Sequence, residues 1–174
     1  MSDTQIIIWA IVGVVVLLII MFFYYNNQEV SLRKEAKAQY GNIEAVRDRM
    51  FQILREQAGV AANYRDAFAK IYPEIISGRY QDGGQMMKWI QEANPNFDTS
   101  LYKGVMNSIE VQRTAFAAAQ TRMLDIINQR ETLIESFPSQ WFVQNKSTIT
   151  YTVISSSDTK QVMSTGVDDW SLTM

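Results

Sequence analysis

The stretch that decides the fold is Ile6–Tyr25, IIIWAIVGVVVLLIIMFFYY, which contains no charged residue. A helix of this length rises about 30 Å, which matches the hydrocarbon core of a bilayer. A helix buried in a soluble core is usually shorter and keeps a polar face. The segment is therefore predicted to be a transmembrane helix.

A cleaved signal peptide is the main alternative for this segment. Such a peptide has a basic start, an apolar run of about 7–15 residues and a small-residue cleavage site. Here Asp3 precedes the run without any Lys or Arg, and the run is longer and ends in bulky aromatic residues. We therefore expect residues 1–26 to be an uncleaved anchor. The residues assigned to it are Ile6, Trp9, Gly13, Phe22, Phe23, Tyr24 and Tyr25.

Basic residues on the two sides of the span predict its orientation. None precedes it, whereas Arg33, Lys34 and Lys37 follow it closely. The positive-inside rule then predicts a single-pass protein of the inner (cytoplasmic) membrane, with its N-terminus outside and its C-terminal domain cytoplasmic. The three bases have two interpretations: they contact lipid headgroups, or they serve only as the orientation signal.

Apolar residues at seven-residue spacing follow the anchor and merge into wide apolar stripes. They predict two long helices, Ala36–Ile75 and Asp98–Phe137, and a short helix over Met86–Ala93 between them. Gly59 is expected to be tolerated inside the first long helix, and Pro73 to end or kink it. The anchor is expected to be nearly continuous with that helix. The fold class is thus all-α, with an elongated antiparallel helical bundle over residues 27–140.

Arg130 occupies a position of the second stripe where an apolar residue is expected. It can pair with a carboxylate on the facing helix, or it can extend to solvent at the edge of the bundle. We expect the second arrangement.

The sequence pattern changes in residues 141–174, where β-branched and polar residues alternate. This pattern predicts a strand over Ser147–Ser155 with Ile149, Tyr151 and Val153 on one side, and a weaker return strand over Lys160–Thr165. An unpaired strand invites a strand from another chain, so these segments are expected to pair between subunits. A disordered, acidic tail is the alternative.

Composition and the absence of known motifs exclude several classes of catalytic and binding site. The chain has no Cys and no His, and it has no P-loop, dinucleotide, zinc or calcium motif. All 16 basic residues and 17 of the 18 acidic residues follow the anchor without a basic stripe. We therefore expect a non-enzymatic protein without catalytic residues, cofactor, metal or nucleic-acid partner.

Two short motifs resemble the LemA family of bacterial and phage membrane proteins. Asn94, Pro95 and Phe97 are similar to the E-x-Y-P-x-L segment of that family, with Asn94 at its tyrosine, and Phe137-Pro138-Ser139 matches its most recognisable tripeptide. The chain departs from the family after its Leu-Ile pair, where Arg55-Glu56 replaces Pro-Asn. The resemblance implies one N-terminal membrane helix, a long antiparallel bundle inside the cell, and no catalytic residue.

These features together predict a membrane-anchored scaffold. It would contact membrane lipid, form homo-oligomers through its helices and C-terminal strand, and organise or shape the bilayer. The alternative is a membrane-tethered adaptor that binds a client protein, which the sequence does not identify, through its bundle or its acidic tail. The two differ in stoichiometry, because only the scaffold assembles into large homo-oligomers unaided.

Overall fold

The computed structural model describes residues 2–77 and 84–155. Of these residues, 83% are helical, which confirms the predicted helical class. The α-helices are α1 (Asp3–Ala58), α2 (Arg65–Ser77), α3 (Gly84–Ala93), α4 (Tyr102–Glu135) and the single turn α5 (Ser139–Phe142). Two 3-10 turns, Ala62–Tyr64 and Thr99–Leu101, precede α2 and α4.

Helix α1 continues without a break from the apolar segment into residues that pack against α4, which confirms the expected continuity of the two. The prediction of one helix over Ala36–Ile75 is nevertheless wrong, because α1 ends at Ala58 and Gly59 adopts a left-handed backbone with φ +63°. A residue in this conformation just after the last turn is a common way for helices to end. The amide of Val60 then donates to the carbonyl of Leu54 at 3.2 Å.

Two other predicted helix boundaries, at Pro73 and at Asp98, have different outcomes. Pro73 lies inside α2, which continues to Ser77, so of the two expected effects the end of the helix is wrong and the kink stays a prediction. Asp98 does act as a cap: its carboxylate accepts from the Ser100 amide at 2.9 Å, at the start of the 3-10 turn that leads into α4. The hydrogen bonds from Ser100 lower the pKa of this carboxyl.

The chain divides into two compact units. Unit 1 comprises Met1–Asn42 and Thr121–Tyr151, and unit 2 comprises Ile43–Gln120 and Thr152–Met174. In unit 1, α1 packs against α4 in antiparallel sense, since Glu29 pairs with Arg130 and Glu35 with Arg122. The buried apolar residues of unit 1 are Leu32, Ala36, Met123, Ile126, Ile127, Leu133 and Val143.

The core of unit 2 is built on aromatic contacts. Phe68 packs against Phe51 and Tyr72 with ring centroids 5.2 and 5.5 Å apart, and Tyr72 meets Phe116 edge to face at 5.5 Å. These four rings connect α1, α2 and α4, and all four residues are nearly inaccessible to solvent. Aromatic pairs in this geometry stabilise a core beyond the area they bury.

The predicted strand over Ser147–Ser155 is absent, and no strand occurs anywhere in residues 2–77 and 84–155. A strand needs a neighbouring backbone, whereas here a helix side chain binds the backbone of the segment. Gln120 on α4 accepts from the Ile154 amide at 2.9 Å and donates to the Ile154 carbonyl at 3.4 Å. The predicted first strand of the C-terminal tail is therefore wrong for the single chain. The return strand, Lys160–Thr165, lies outside the described residues.

Candidate functional site

The side chains of α1 change abruptly in exposure near the end of the apolar segment. Every residue from Ile6 to Ile20 is exposed, although nearly all are apolar. Partly covered residues such as Phe22 and Tyr25 then alternate with exposed ones, and Glu29 is the first buried residue of the described chain, with 2% of its surface exposed. α1 is long and apolar enough to cross a membrane, and none of its residues from Ile6 to Ile20 enters the protein core.

The first buried residue after the apolar stretch is charged, and its partner is an arginine. Arg130 on α4 donates from Nε and Nη2 to Oε1 of Glu29, at 3.0 and 2.8 Å. The arginine side chain is 1% exposed and the glutamate side chain 3% exposed. A buried charge is costly to desolvate unless an opposite charge and hydrogen bonds satisfy it.

Backbone carbonyls bind the rest of the guanidinium group. Nη1 of Arg130 donates to the carbonyl of Ser147 at 2.6 Å, and Nη2 donates to the carbonyl of Asn145 at 3.2 Å. Arg130 thus holds the segment that follows α5 against the bundle. The expectation that Arg130 extends to solvent is wrong, because the low-dielectric interior holds both its partner and these carbonyls.

Asn26 makes a second link between the end of the apolar stretch and the segment around α5. Its Nδ2 donates to the carbonyl of Phe22 at 2.8 Å and to that of Phe142 at 2.7 Å. Its Oδ1 accepts from the Gln144 amide at 3.1 Å. One side chain therefore satisfies backbone groups on both segments.

An aromatic stack completes this arrangement. The rings of Tyr25 and Phe142 lie 5.9 Å apart with an interplanar angle of 21°. We call Tyr25, Asn26, Glu29, Arg130 and Phe142 the span-end cluster. It fastens α4, α5 and the following residues to the part of α1 that directly follows the apolar stretch.

The predicted anchor residues all lie on α1. Trp9 is 66% exposed, and no atom outside the helix backbone lies within 4 Å of a Cβ built on Gly13. Phe23 and Tyr24 are exposed, whereas Phe22 and Tyr25 are half-buried. The predicted anchor residues therefore form a surface that is apolar and uncovered apart from the side facing α5.

The predicted headgroup residues lie on the next turns of α1. Lys34 and Lys37 are exposed, and Arg33 is half exposed with its Nε 3.7 Å from Oε1 of Glu29. Side chains of a helix lean toward its N-terminus, so these bases lean toward the apolar stretch. Arg33 adds a second, partly solvated cation to the buried Glu29–Arg130 pair.

The two family-like motifs occupy different units. In unit 2, Nδ2 of Asn94 donates to the carbonyl of Ala58 at 3.0 Å, and Phe97 is buried. In unit 1, Ser139 is buried and its hydroxyl donates to the Ser136 carbonyl at 2.9 Å.

The aromatic residue of the second motif, Phe137, is exposed, whereas Phe97 of the first motif is buried. Phe137 is 70% exposed and lies edge to face with Trp141, which is 75% exposed, at a centroid distance of 5.1 Å. Pro138 between them is half-buried.

Sequence reasoning missed most of the span-end cluster. The sequence pattern singles out Tyr25 and Arg130, but not Asn26, Glu29 or Phe142. The available signal was Arg130 in an apolar column, because an arginine that stays buried in a helix seam is stable only with an opposite charge and hydrogen-bond acceptors beside it.

Comparison with family models, characterised proteins and solved structures finds no match to this chain. Within residues 2–77 and 84–155, no three Asp or Glu side chains come together as a metal site would require.

Proposed function

We propose that this chain is a non-enzymatic, single-pass membrane protein that acts as a scaffold. Its apolar helix spans the bilayer, and its helical part assembles with other copies and organises or shapes the membrane. The bilayer proposed is the inner (cytoplasmic) membrane, with the N-terminus outside and the bundle in the cytoplasm.

The observation that carries the proposal is the exposure pattern along α1. From Ile6 to Ile20 the helix presents apolar side chains on all sides, and none of them enters the protein core. Lipid is the solvent in which such a surface is stable. α1 then continues without a break into residues that form the core with α4.

The span-end cluster supports retention of the apolar segment in the mature protein. A signal peptide is removed, so the folded domain cannot depend on residues at its end. Here Tyr25 and Asn26 directly contact Phe142, and Glu29 neutralises the buried Arg130. Cleavage near the end of the apolar run would remove the Tyr25–Phe142 stack and the Asn26 hydrogen bonds.

The orientation and the family resemblance rest on sequence. The bases Arg33, Lys34 and Lys37 follow the span and none precedes it, which favours a cytoplasmic bundle. The Phe137-Pro138-Ser139 motif and the segment around Pro95 favour a divergent member of the LemA family.

The measurement that tests the scaffold is the size of the full chain extracted in mild detergent, determined by light scattering. A scaffold forms large homo-oligomers without another protein. The alternative, a membrane-tethered adaptor, remains a monomer or small oligomer until a client is added. A small species in detergent and in nanodiscs would contradict the scaffold.

Pairing of C-terminal strands between subunits is tested in the same assay with Val153→Lys. A charge on an unpaired strand discourages edge-to-edge pairing, and Val153 is 40% exposed, so the substitution is compatible with the single chain. Val111→Lys is the matched control, because Val111 is an exposed valine on α4. We expect smaller assemblies only from Val153→Lys, and equal sizes for both variants would exclude strand pairing.

Anchor retention and orientation are tested on the full chain in cells. The intact mass should include residues 1–26, and protease added outside intact cells should leave the bundle undigested. A shorter mass would indicate a cleaved signal sequence, and digestion of the bundle would indicate the opposite orientation.

A further inference from the structure

The exposed pair Phe137 and Trp141 lies at the same level as the end of the proposed span. Trp141 directly precedes Phe142 in α5, so their Cα atoms are about 3.8 Å apart. Phe142 stacks on Tyr25, the last residue of the apolar stretch, and its carbonyl accepts from Asn26. Trp141 is thus fixed beside the boundary between the apolar stretch and the polar part of α1.

The depth of this boundary follows from helix geometry. Asn26 and Glu29 lie about 1.5 and 6 Å beyond Tyr25 at 1.5 Å per residue. The polar headgroup region of a bilayer is about 5–8 Å thick on each side. If the hydrocarbon core ends at Tyr25, the span-end cluster lies at headgroup depth, and α5 lies there with it.

The turn that carries the two rings is held by hydrogen bonds. The amide of Trp141 donates to the Pro138 carbonyl at 3.1 Å, and that of Gln140 donates to the Ser136 carbonyl at 2.8 Å. The buried Ser139 hydroxyl also donates to the Ser136 carbonyl. The rings are therefore held outward by an ordered turn, and neither ring folds back onto the bundle.

Exposed aromatic residues at this depth have a chemical preference. Tryptophan combines a large apolar ring with an N–H donor, and it is enriched where one end of the side chain is apolar and the other hydrated. Phe137 adds apolar area beside it, with ring centroids 5.1 Å apart. In water this pair would expose two large rings, whereas the interfacial region of a bilayer accommodates them.

We propose that Phe137 and Trp141 form a second membrane contact, which inserts into the headgroup and upper acyl region of the same leaflet at the end of the span. The partner is a lipid surface, and the contact would fix how the helices of unit 1 meet the membrane. The inference rests on the proposed membrane anchoring, and it adds a lipid-binding surface far from the anchor in sequence.

The test uses the full chain in vesicles, with three variants that each keep one tryptophan and carry Phe at the other three. The Trp9 variant reports on the anchor, the Trp141 variant on the proposed contact, and the Trp89 variant, whose tryptophan lies on α3 in unit 2, is the control. Fluorescence is quenched from the lipid side by brominated acyl chains and from the water side by iodide.

We expect strong quenching of Trp9 and Trp141 by brominated lipid, severalfold above that of Trp89. Strong quenching of Trp141 by iodide, with none from the lipid, would overturn the inference while leaving the anchor intact. Protection of Trp141 from both quenchers would indicate that a second copy covers it, and this also overturns the inference. If Trp9 is not quenched by the lipid, the anchoring proposal fails and the contact fails with it.

A second substitution separates insertion from simple proximity. In the Trp141 variant, Phe137→Ser should weaken lipid quenching of Trp141 because the contact loses apolar area. Leu124→Ser on α4 is the control, since Leu124 is also an exposed apolar residue of unit 1. Equal quenching in the two serine variants would contradict insertion of the pair.

Discussion

Two ion pairs join α1 to α4 in unit 1, and they differ mainly in burial. The side chains of Glu29 and Arg130 are 3% and 1% exposed, whereas those of Glu35 and Arg122 are 40% and 52% exposed. Both pairs bring an arginine nitrogen onto a carboxylate oxygen. The comparison shows that the chemistry of an ion pair does not by itself determine how strongly the fold depends on it.

The two pairs differ because water surrounds the exposed pair and is excluded from the buried one. Charges at a surface are screened by water and salt, so an exposed pair contributes about 0–1 kcal/mol. In a buried pair the low dielectric strengthens the attraction between the charges. Its main consequence is that removal of one partner leaves the other charge buried and uncompensated, which destabilises the fold. In addition, Arg130 donates to the backbone carbonyls of Ser147 and Asn145.

The largest effect is expected when one partner of the buried pair is removed. Glu29→Ala leaves the guanidinium of Arg130 buried without its counter-charge, and such changes cost about 3–5 kcal/mol. The free energy of unfolding is measured by urea titration of the full chain in detergent, followed by circular dichroism. Arg130→Ala should cost a similar amount, and a loss below about 1 kcal/mol in both variants would contradict the burial of the pair.

Replacing both partners sharpens this test. Glu29→Leu combined with Arg130→Met fills the site with apolar groups of similar length, which is often neutral or stabilising relative to a buried pair. We expect the double variant to be more stable than either alanine variant. The carbonyls of Asn145 and Ser147 would still lose their donor, so a partial return of stability is expected.

The next effect in size concerns the neutral part of the span-end cluster. Asn26→Ala removes three hydrogen bonds and leaves the partly buried carbonyl of Phe142 without this donor, at a cost of about 1–3 kcal/mol. Asn27→Ala is the matched control, because Asn27 is exposed on the same turn and should change stability by less than about 0.5 kcal/mol. Equal effects in the same urea titration would contradict the role of Asn26.

Removal of the exposed pair should have a smaller effect. Glu35→Ala and Arg122→Ala are each expected to change the free energy of unfolding by about 0–1 kcal/mol. The coupling energy from the double-mutant cycle should fall as salt is added, since the charges are solvated. A coupling above about 2 kcal/mol that persists at high salt would mean that this pair behaves like the buried one.

The smallest effect is a change of stability with pH at Tyr151. Partial burial raises the pKa of its hydroxyl above the usual 10.0, and the electrostatic interaction with Tyr40 raises it further. A raised pKa in the folded state means that this stabilising contribution is complete below pH 10 and is lost as pH rises through the folded pKa. Ultraviolet titration, with Tyr151→Phe to identify the signal, should show late ionisation. Tyr40→Phe should move it earlier, and an unchanged midpoint would exclude the Tyr40 effect.

Several features of the helical part were predictable because they depend on local pattern. Seven-residue spacing predicts the second long helix, which the structure has over Tyr102–Glu135, and the Met86–Ala93 prediction overlaps α3 closely. Gly59 was misinterpreted because an isolated glycine is compatible with a helix interior. Its left-handed φ arises where α1 ends against Asn94, whose Nδ2 lies 2.7 Å from a Cβ built on Gly59.

The structure of the C-terminal segment, in contrast, could not be predicted from local pattern. Alternation of β-branched and polar residues around Tyr151 is typical of a strand, but a strand exists only if a second backbone is available. The described chain supplies helix side chains instead, and Gln120 binds both backbone groups of Ile154. Pairing between subunits stays a prediction.

The sequence by itself determined the apolar stretch, the helical class and the asymmetry of charge on the two sides of that stretch. Each follows from composition or short-range periodicity, which act within a few residues along the chain. Only the tertiary structure decided that Arg130 is buried with Glu29, 101 residues away, and that Phe137 and Trp141 remain exposed beside the end of the apolar stretch. Burial and electrostatic pairing depend on distances in space, and the packing of α1 against α4 and α5 sets those distances.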